Sequence, residues 1–243
     1  MIIDTFKNKE KILLAFLENA GLEGWNENCL IHGFNECQID EKFLEIIFPN
    51  RIFSLIDFYI EYNNLKVKEH IIAKNDFEQL KINEKIKYII IQHFKQENQH
   101  RVALQRLFNF FTNPKNFIKS GIGCKPIMLA FNSCYKIADN AWYLIGDKSI
   151  DFNFYSKRFI LAKVILRCFF SFIKDDNNLA KTKNTLDNEI NKILIFNRFK
   201  HHSLKQSKNL KHKIEGMILD DNLNLKSPKE IIKSLPFIRL FKL

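Results

Sequence analysis

Residues 138–176 read ADNAWYLIGDKSIDFNFYSKRFILAKVILRCFFSFIKDD, and the fold turns on how this stretch is read. An aromatic pair, Trp142 and Tyr143, is followed by Gly146 and a polar turn with Asp147, Ser149 and Asp151. Gly146 suits the end of one helix, and Ser149 or Asp151 suits the cap of the next. From about Phe154 to Ile173 the chain is apolar around most of a helical circumference, through Phe159, Ile160, Leu161, Val164, Ile165, Leu166, Phe169, Phe170, Phe172 and Ile173. Lys163, Arg167 and Ser171 leave one narrow polar stripe. Such a helix must be buried on several sides, in a core, against a partner subunit or along a lipid cavity. A membrane span is the weaker reading. The apolar runs fall short of the roughly 20 residues a bilayer requires, and Lys163 and Arg167 interrupt them.

The pattern Trp142, Gly146-Asp147, Ser149, Asp151, Tyr155, Lys157-Arg158, Leu161, Asp175 resembles the signature of the ubiquinone-biosynthesis accessory family, the ninth of the Coq proteins. The resemblance implies a TetR-like, all-α, homodimeric helical bundle of about nine or ten helices with a vestigial helix-turn-helix head. It implies lipid binding and assistance to a quinone-ring hydroxylase, without catalysis or a cofactor. Within the signature, Gly146, Asp147, Asp151, Tyr155 and Arg158 are the family positions. Leu161, Ile165, Phe169 and Phe172 are the expected lipid contacts. Trp142, Tyr143 and Asp139 are the expected hydroxylase contacts, because aromatics dominate binding hot spots; the bland alternative for Trp142 and Tyr143 is core packing.

The chain has 243 residues and a net charge of +11, with a pI near 9.3. That balance points to nucleic acid or an anionic membrane surface, although Lys, Asn, Ile and Phe are abundant throughout, as AT-rich coding would produce. The cysteines, Cys29, Cys37, Cys124, Cys134 and Cys168, are odd in number and scattered, which argues for a reducing compartment. The opening MIIDTFKNKE carries neither an apolar signal region nor an Arg- and Ser-rich transit pattern. The expected location is the bacterial cytoplasm, peripheral to the inner membrane.

From the N-terminus, helices are expected over about Lys9–Ala20, ended by Gly21, over Asn28–Cys37, and from an Asp40 cap to Phe48. Together they form a helix-turn-helix-like head. Its third helix exposes Glu41 and Glu45, which would repel phosphates, so no nucleic acid partner is expected. The segment Phe48-Pro49-Asn50-Arg51 departs from the glycine-containing turn expected in the family. Further helices are expected over about Arg51–Tyr62, from an Asn83 cap through Ile86, Ile90 and Phe94, over Gln99–Phe111, Ile127–Ile145 and Leu179–Lys200. Period-two alternation is nowhere sustained, so no sheet is expected. The domain reading is a head and linker start over 1–62, a lipid-binding and dimerisation domain over 63–200, and a basic segment with an amphipathic tail over 201–243.

The search for chemistry is mostly negative. Glu97-x-x-His100 has the spacing of di-iron bundles but no second copy, which favours a solvated helix junction. Cys29-x-x-His32 with Cys37 has too few ligands for structural zinc, which favours buried apolar cysteines. No metal is expected. Near the C-terminus, Ile190 to Ile214 contains no acidic residue. A capping box at Ser227-Pro228-Lys229-Glu230 then opens a helix with Ile231, Ile232, Leu235, Phe237 and Phe241 between Lys229 and Lys233. These residues are the expected membrane contacts, interrupted by Pro236; the alternative is a tail docked on its own domain. The leading function is therefore a lipid-binding accessory protein that presents an isoprenoid quinone intermediate to a membrane-associated hydroxylase. The rival is a ligand-responsive DNA-binding regulator, and an enzyme comes third.

Overall fold

The computed structural model describes residues 5–113, 125–176 and 178–195, and among these the chain is all α with no strand. Helix α1 (Thr5–Glu23) buries Ile12, Leu13, Phe16, Leu17 and Ala20 along one face. It outruns the expected stop at Gly21 and ends before Gly24, whose φ of 81° only glycine adopts without strain. Asn26 then caps α2 (Glu27–Glu36), accepting from the Cys29 N–H at 3.0 Å. A Cβ at Gly33 would lie 3.2 Å from the Ile12 carbonyl oxygen, so a side chain there would push α2 off α1.

Asp40 caps as expected, accepting from the Lys42 N–H at 3.0 Å. It opens a 3-10 turn, Glu41–Phe43, which leads into the single-turn helix α3 (Leu44–Ile47). Glu41 and Glu45 are exposed there, so the head offers acidic side chains on an element too short to lie along a DNA groove. Trp25 fastens the head to the helices behind it. It is buried, donates its indole N–H to the Ala103 carbonyl at 2.7 Å, and meets Phe16 and Tyr59 edge-on.

Helix α4 (Ile52–Ile72) runs on through Asn63 and Asn64, past the end expected for it near Tyr62. Helix α5 (Ile82–Glu97) starts at Lys81 rather than at an Asn83 cap; the Glu84 side chain accepts from the Lys81 N–H at 3.4 Å. Helices α6 (Arg101–Thr112), α7 (Lys125–Ile145) and α8 (Asp151–Ile173) come after it, and a ninth helix, α9, occupies 180–195. α7 packs along α8 and against α4, α5 and α6, which places it at the centre of the bundle. The described residues up to Ile190 form one compact unit. The basic run and the expected membrane contacts, Lys229, Ile231, Ile232, Lys233, Leu235, Phe237 and Phe241, lie outside the described residues. Among the described residues, no helix is long and apolar enough to cross a membrane.

The turn that lacked its expected glycine carries a detectable penalty. Arg51 enters α4 with φ 51° and ψ −123°, a conformation open to glycine but strained for other residues by about 1–3 kcal/mol. Its links to Glu27 and Glu45 are both 3.5 Å long and exposed, so they return little. Arg51→Gly is expected to stabilise the protein by about 1 kcal/mol, a rise in Tm of roughly 2–4 °C in thermal unfolding.

Candidate functional site

The signature residues form a clamp between α7 and α8. Gly146 takes φ 80° at the end of α7, so the chain reverses there and Asp147 points back into the structure. Arg158, two turns into α8, is 3% exposed, with its guanidinium against the Phe154 ring. It donates to Asp139 on α7, to Asp147 at 3.3 Å and to the Phe154 carbonyl at 3.1 Å. Asp147 also takes Lys157 at 2.8 Å and the Ser149 hydroxyl. Desolvation pushes the Asp147 carboxyl up, but these donors together outweigh it and hold the group down at about 2. Neither expected cap operates: Ser149 is turned onto Asp147, and Ile150 stands at the N-cap immediately before Asp151. At the other end of α8, Asp175 accepts from the Thr182 N–H at 2.7 Å and its hydroxyl at 2.6 Å, which turns the chain into the next helix.

Trp142 is half-buried beneath the Lys157 ammonium, 5.0 Å from the ring centroid, and its indole N–H has no partner among the described residues. Tyr143 is 71% exposed beside a surface groove lined by Asp57, Glu61 and Asp139 together with Lys136 and Arg158. Of the expected partner contacts, then, Tyr143 lies on the surface, Trp142 is shared with the packing, and Asp139 is tied to Arg158. Tyr155 is exposed on α8.

Helices α4 to α8 enclose a cavity of about 360 Å³. Its walls are almost wholly apolar, with Phe94 from α5, Leu107 and Phe111 from α6, Phe131 from α7, and Ile165 and Phe169 from α8. Leu161 and Phe172, the other expected lipid contacts, are buried outside this lining. Phe172 meets Phe94 at a tilt, with ring centroids 5.1 Å apart, and lies beneath the Arg101 guanidinium. Arg101 in turn donates to the carbonyls of Phe172, in the last turn of α8, and of Asp175 and Asp176 in the turn that follows.

One end of the cavity is polar. Tyr59 from α4 and His93 and Glu97 from α5 line it, at 1%, 2% and 5% exposure. Neither ring nitrogen of His93 nor the Tyr59 hydroxyl has a hydrogen-bond partner among the described residues. Burial alone pushes the Glu97 carboxyl up to about 8 and the His93 imidazole down to about 3, so both are neutral near pH 7. Cys134, facing Glu97 from α7, is raised to about 12 by the same burial and is inert as a thiolate. The expectation of a solvated junction at Glu97-x-x-His100 is therefore corrected for Glu97, which lies inside the bundle because it falls on the face of Ile86, Ile90 and Phe94. No cluster able to hold a metal occurs among the described residues. Cys29 is buried and His32 pairs with Glu23 at 2.8 Å.

Sequence reasoning passed over Tyr59 and His93 as site residues. The signal was present: His93 and Glu97, four residues apart, interrupt the apolar face of α5. The two groups have opposite pH signatures. Glu97, raised from an unfolded value near 4.5, withdraws stability as pH climbs from about 4.5 to 8; His93, lowered from 6.5, withdraws it as pH falls from 6.5 towards 3. Glu97→Gln is therefore expected to melt above the wild type by about 4 °C or more at pH 8, with the gap closing towards pH 4.5, as read by Tm across a pH series.

Residues 127–197 match the COQ9 family model. A curated relative from Dictyostelium discoideum, described as "Probable ubiquinone biosynthesis protein coq9, mitochondrial", is 31% identical over 90 residues. The match covers 37% of this chain and 26% of the relative, so the chain spans about a quarter of the length of the curated protein it matches. The family match takes in α7, the clamp and α8, the same stretch that carries the signature. Over residues 127–197 the chain is accordingly similar to the COQ9 family of ubiquinone biosynthesis proteins.

Proposed function

We propose that this chain is a lipid-binding accessory protein of ubiquinone biosynthesis, which holds an isoprenoid quinone intermediate between its helices and presents it to a membrane-associated ring hydroxylase. The observation that carries the reading is the apolar cavity of about 360 Å³ with neutral polar groups at one end. Small-molecule sites have this character, with mostly apolar walls and a few convergent polar groups. The role is that of a carrier rather than an enzyme: Cys134 is held as a thiol and Glu97 as a neutral acid, so neither is poised as a nucleophile or base near pH 7. The similarity to the COQ9 family over residues 127–197 supports the assignment to this pathway.

Delivery would bring the protein to an anionic membrane surface through its basic C-terminal segment, where each basic residue adds about 1 kcal/mol of attraction. The homodimer belongs to the same proposal, with Tyr155, Phe159 and Ile160 as exposed apolar surface on α8 for it to cover. The acidic turn before α3 weighs against the regulator reading. Tyr143 supplies the exposed aromatic for a hydroxylase contact.

Mass spectrometry of organic extracts from the purified protein is expected to recover a quinone precursor at near-stoichiometric amount. Ile165→Trp, which fills the cavity, should lower that recovery at least tenfold; a clean extract from the wild type would remove the carrier role. Tyr143→Ala is expected to abolish co-purification with the hydroxylase while moving Tm by less than about 2 °C, because exposed substitutions change stability by only about 0.5 kcal/mol.

A further inference from the structure

The inner end of the cavity has a chemistry of its own. An unpaired polar group buried in an apolar surround costs about 1–3 kcal/mol, so several in one place require an explanation. Here the Tyr59 hydroxyl and both His93 nitrogens lack protein partners among the described residues, and Glu97 lies beside Tyr59 and Cys134. Asn63 comes close to the Tyr59 hydroxyl from one turn along α4, yet no hydrogen bond of acceptable geometry joins them.

The inventory of these groups is specific. A phenol both donates and accepts, a neutral imidazole carries one donor and one acceptor, and a protonated carboxyl adds a further O–H and a carbonyl oxygen. The end of the cavity therefore offers both kinds of hydrogen bond and no net charge. Among the described residues, no Lys or Arg lines the cavity. An ionised carboxylate or phosphate drawn inside would be desolvated without a counter-ion. A planar ring fits the walls, where Phe94, Phe111, Phe131 and Phe169 present their faces and edges. At roughly 30 Å³ per water-sized group, the volume suits a substituted ring with the start of a chain. The exposed lining residues, Thr112 and Phe170, mark the side on which a longer tail leaves.

We propose that Tyr59, His93 and Glu97 form a head-group site, and that the cavity selects an uncharged aromatic amphiphile whose head both donates and accepts hydrogen bonds, of the phenol or quinol class, over amphiphiles with an ionised head. This rests on the carrier reading of the cavity and adds the site's selectivity to it.

The test compares 4-octylphenol, octylbenzene and 4-octylbenzoate binding to the full chain at pH 7, by titration calorimetry. Octylbenzene tests the cavity alone. The phenol is expected to bind about tenfold tighter than octylbenzene, the equivalent of one to two neutral hydrogen bonds, and the benzoate more weakly than either. His93→Leu should bring the phenol down to the affinity of octylbenzene and leave octylbenzene unchanged. Glu97→Gln, which keeps a donor and an acceptor, should retain most of the preference. Equal binding of phenol and octylbenzene to the wild type would overturn the head-group site while leaving the cavity reading intact, and so would benzoate binding as tight as phenol. Failure of all three probes would overturn both. The wild-type comparison decides the matter even if the leucine variant does not fold.

Discussion

Arg158 keeps a full positive charge at 3% exposure, and the geometry of the bundle depends on how that charge is held. Removing an ion from water is expensive, and only close opposite charge with well-formed hydrogen bonds repays it. Asp139 comes from the last turns of α7 and Asp147 from the turn beyond it, so the guanidinium finds both acceptors only at one register of α7 against α8. Shifting either helix by one residue would leave a buried cation unpaired, a penalty of about 3–5 kcal/mol. A purely apolar α7–α8 contact would tolerate such sliding far better. Ile165 and Phe169, two and three turns further along α8, are placed on the cavity wall by that fixed register.

The clamp also shows why the family signature was legible and what it meant. Gly146, Asp147, Lys157 and Arg158 stood out as dispersed identities at fixed spacing, and they turn out to be one connected set of contacts. Their selection is for helix register, a constraint that a linear pattern records well because all the partners lie within 20 residues of one another. Helical periodicity placed the long elements for the same reason: the burial of one face is a local property. The errors fell where a local signal competed with a distant contact. Gly21 was a plausible stop, yet α1 runs on to Glu23, and Gly21 instead lies against Val102 of α6 with its carbonyl accepting from Arg106. Asn83 was a plausible cap, yet Glu84 satisfies the helix start from within.

The site was harder to read than the fold. Its polar end draws on α4, α5 and α7, and no spacing rule relates Tyr59 to His93 across 34 positions. Leu161 and Phe172 were as apolar as Ile165 and Phe169, and periodicity cannot separate residues that face a cavity from residues that face a neighbouring helix. Within α5 the clue was local but pointed elsewhere. Glu97 and His100 matched a metal spacing, whereas the pair that shares the inner face is His93 and Glu97. Polar residues at core positions of an amphipathic helix are the more general sign of a site, because burial without partners disfavours them wherever they have no use.

That cost bears on what the bundle is for. A core built only for stability would carry Leu or Phe at positions 93 and 97, and such a replacement would remove two desolvated titratable groups from α5. Their presence beside a cavity, rather than in a packed interface, means that the protein gives up folding free energy to keep hydrogen-bonding capacity where side chains alone do not use it. The cost is graded by pH in opposite directions for the two groups, smallest for Glu97 in acid and for His93 in base, so near pH 7 its titration part falls mainly on Glu97. Any ligand that satisfies these groups recovers part of that free energy, and its binding and the stability of the fold become linked quantities.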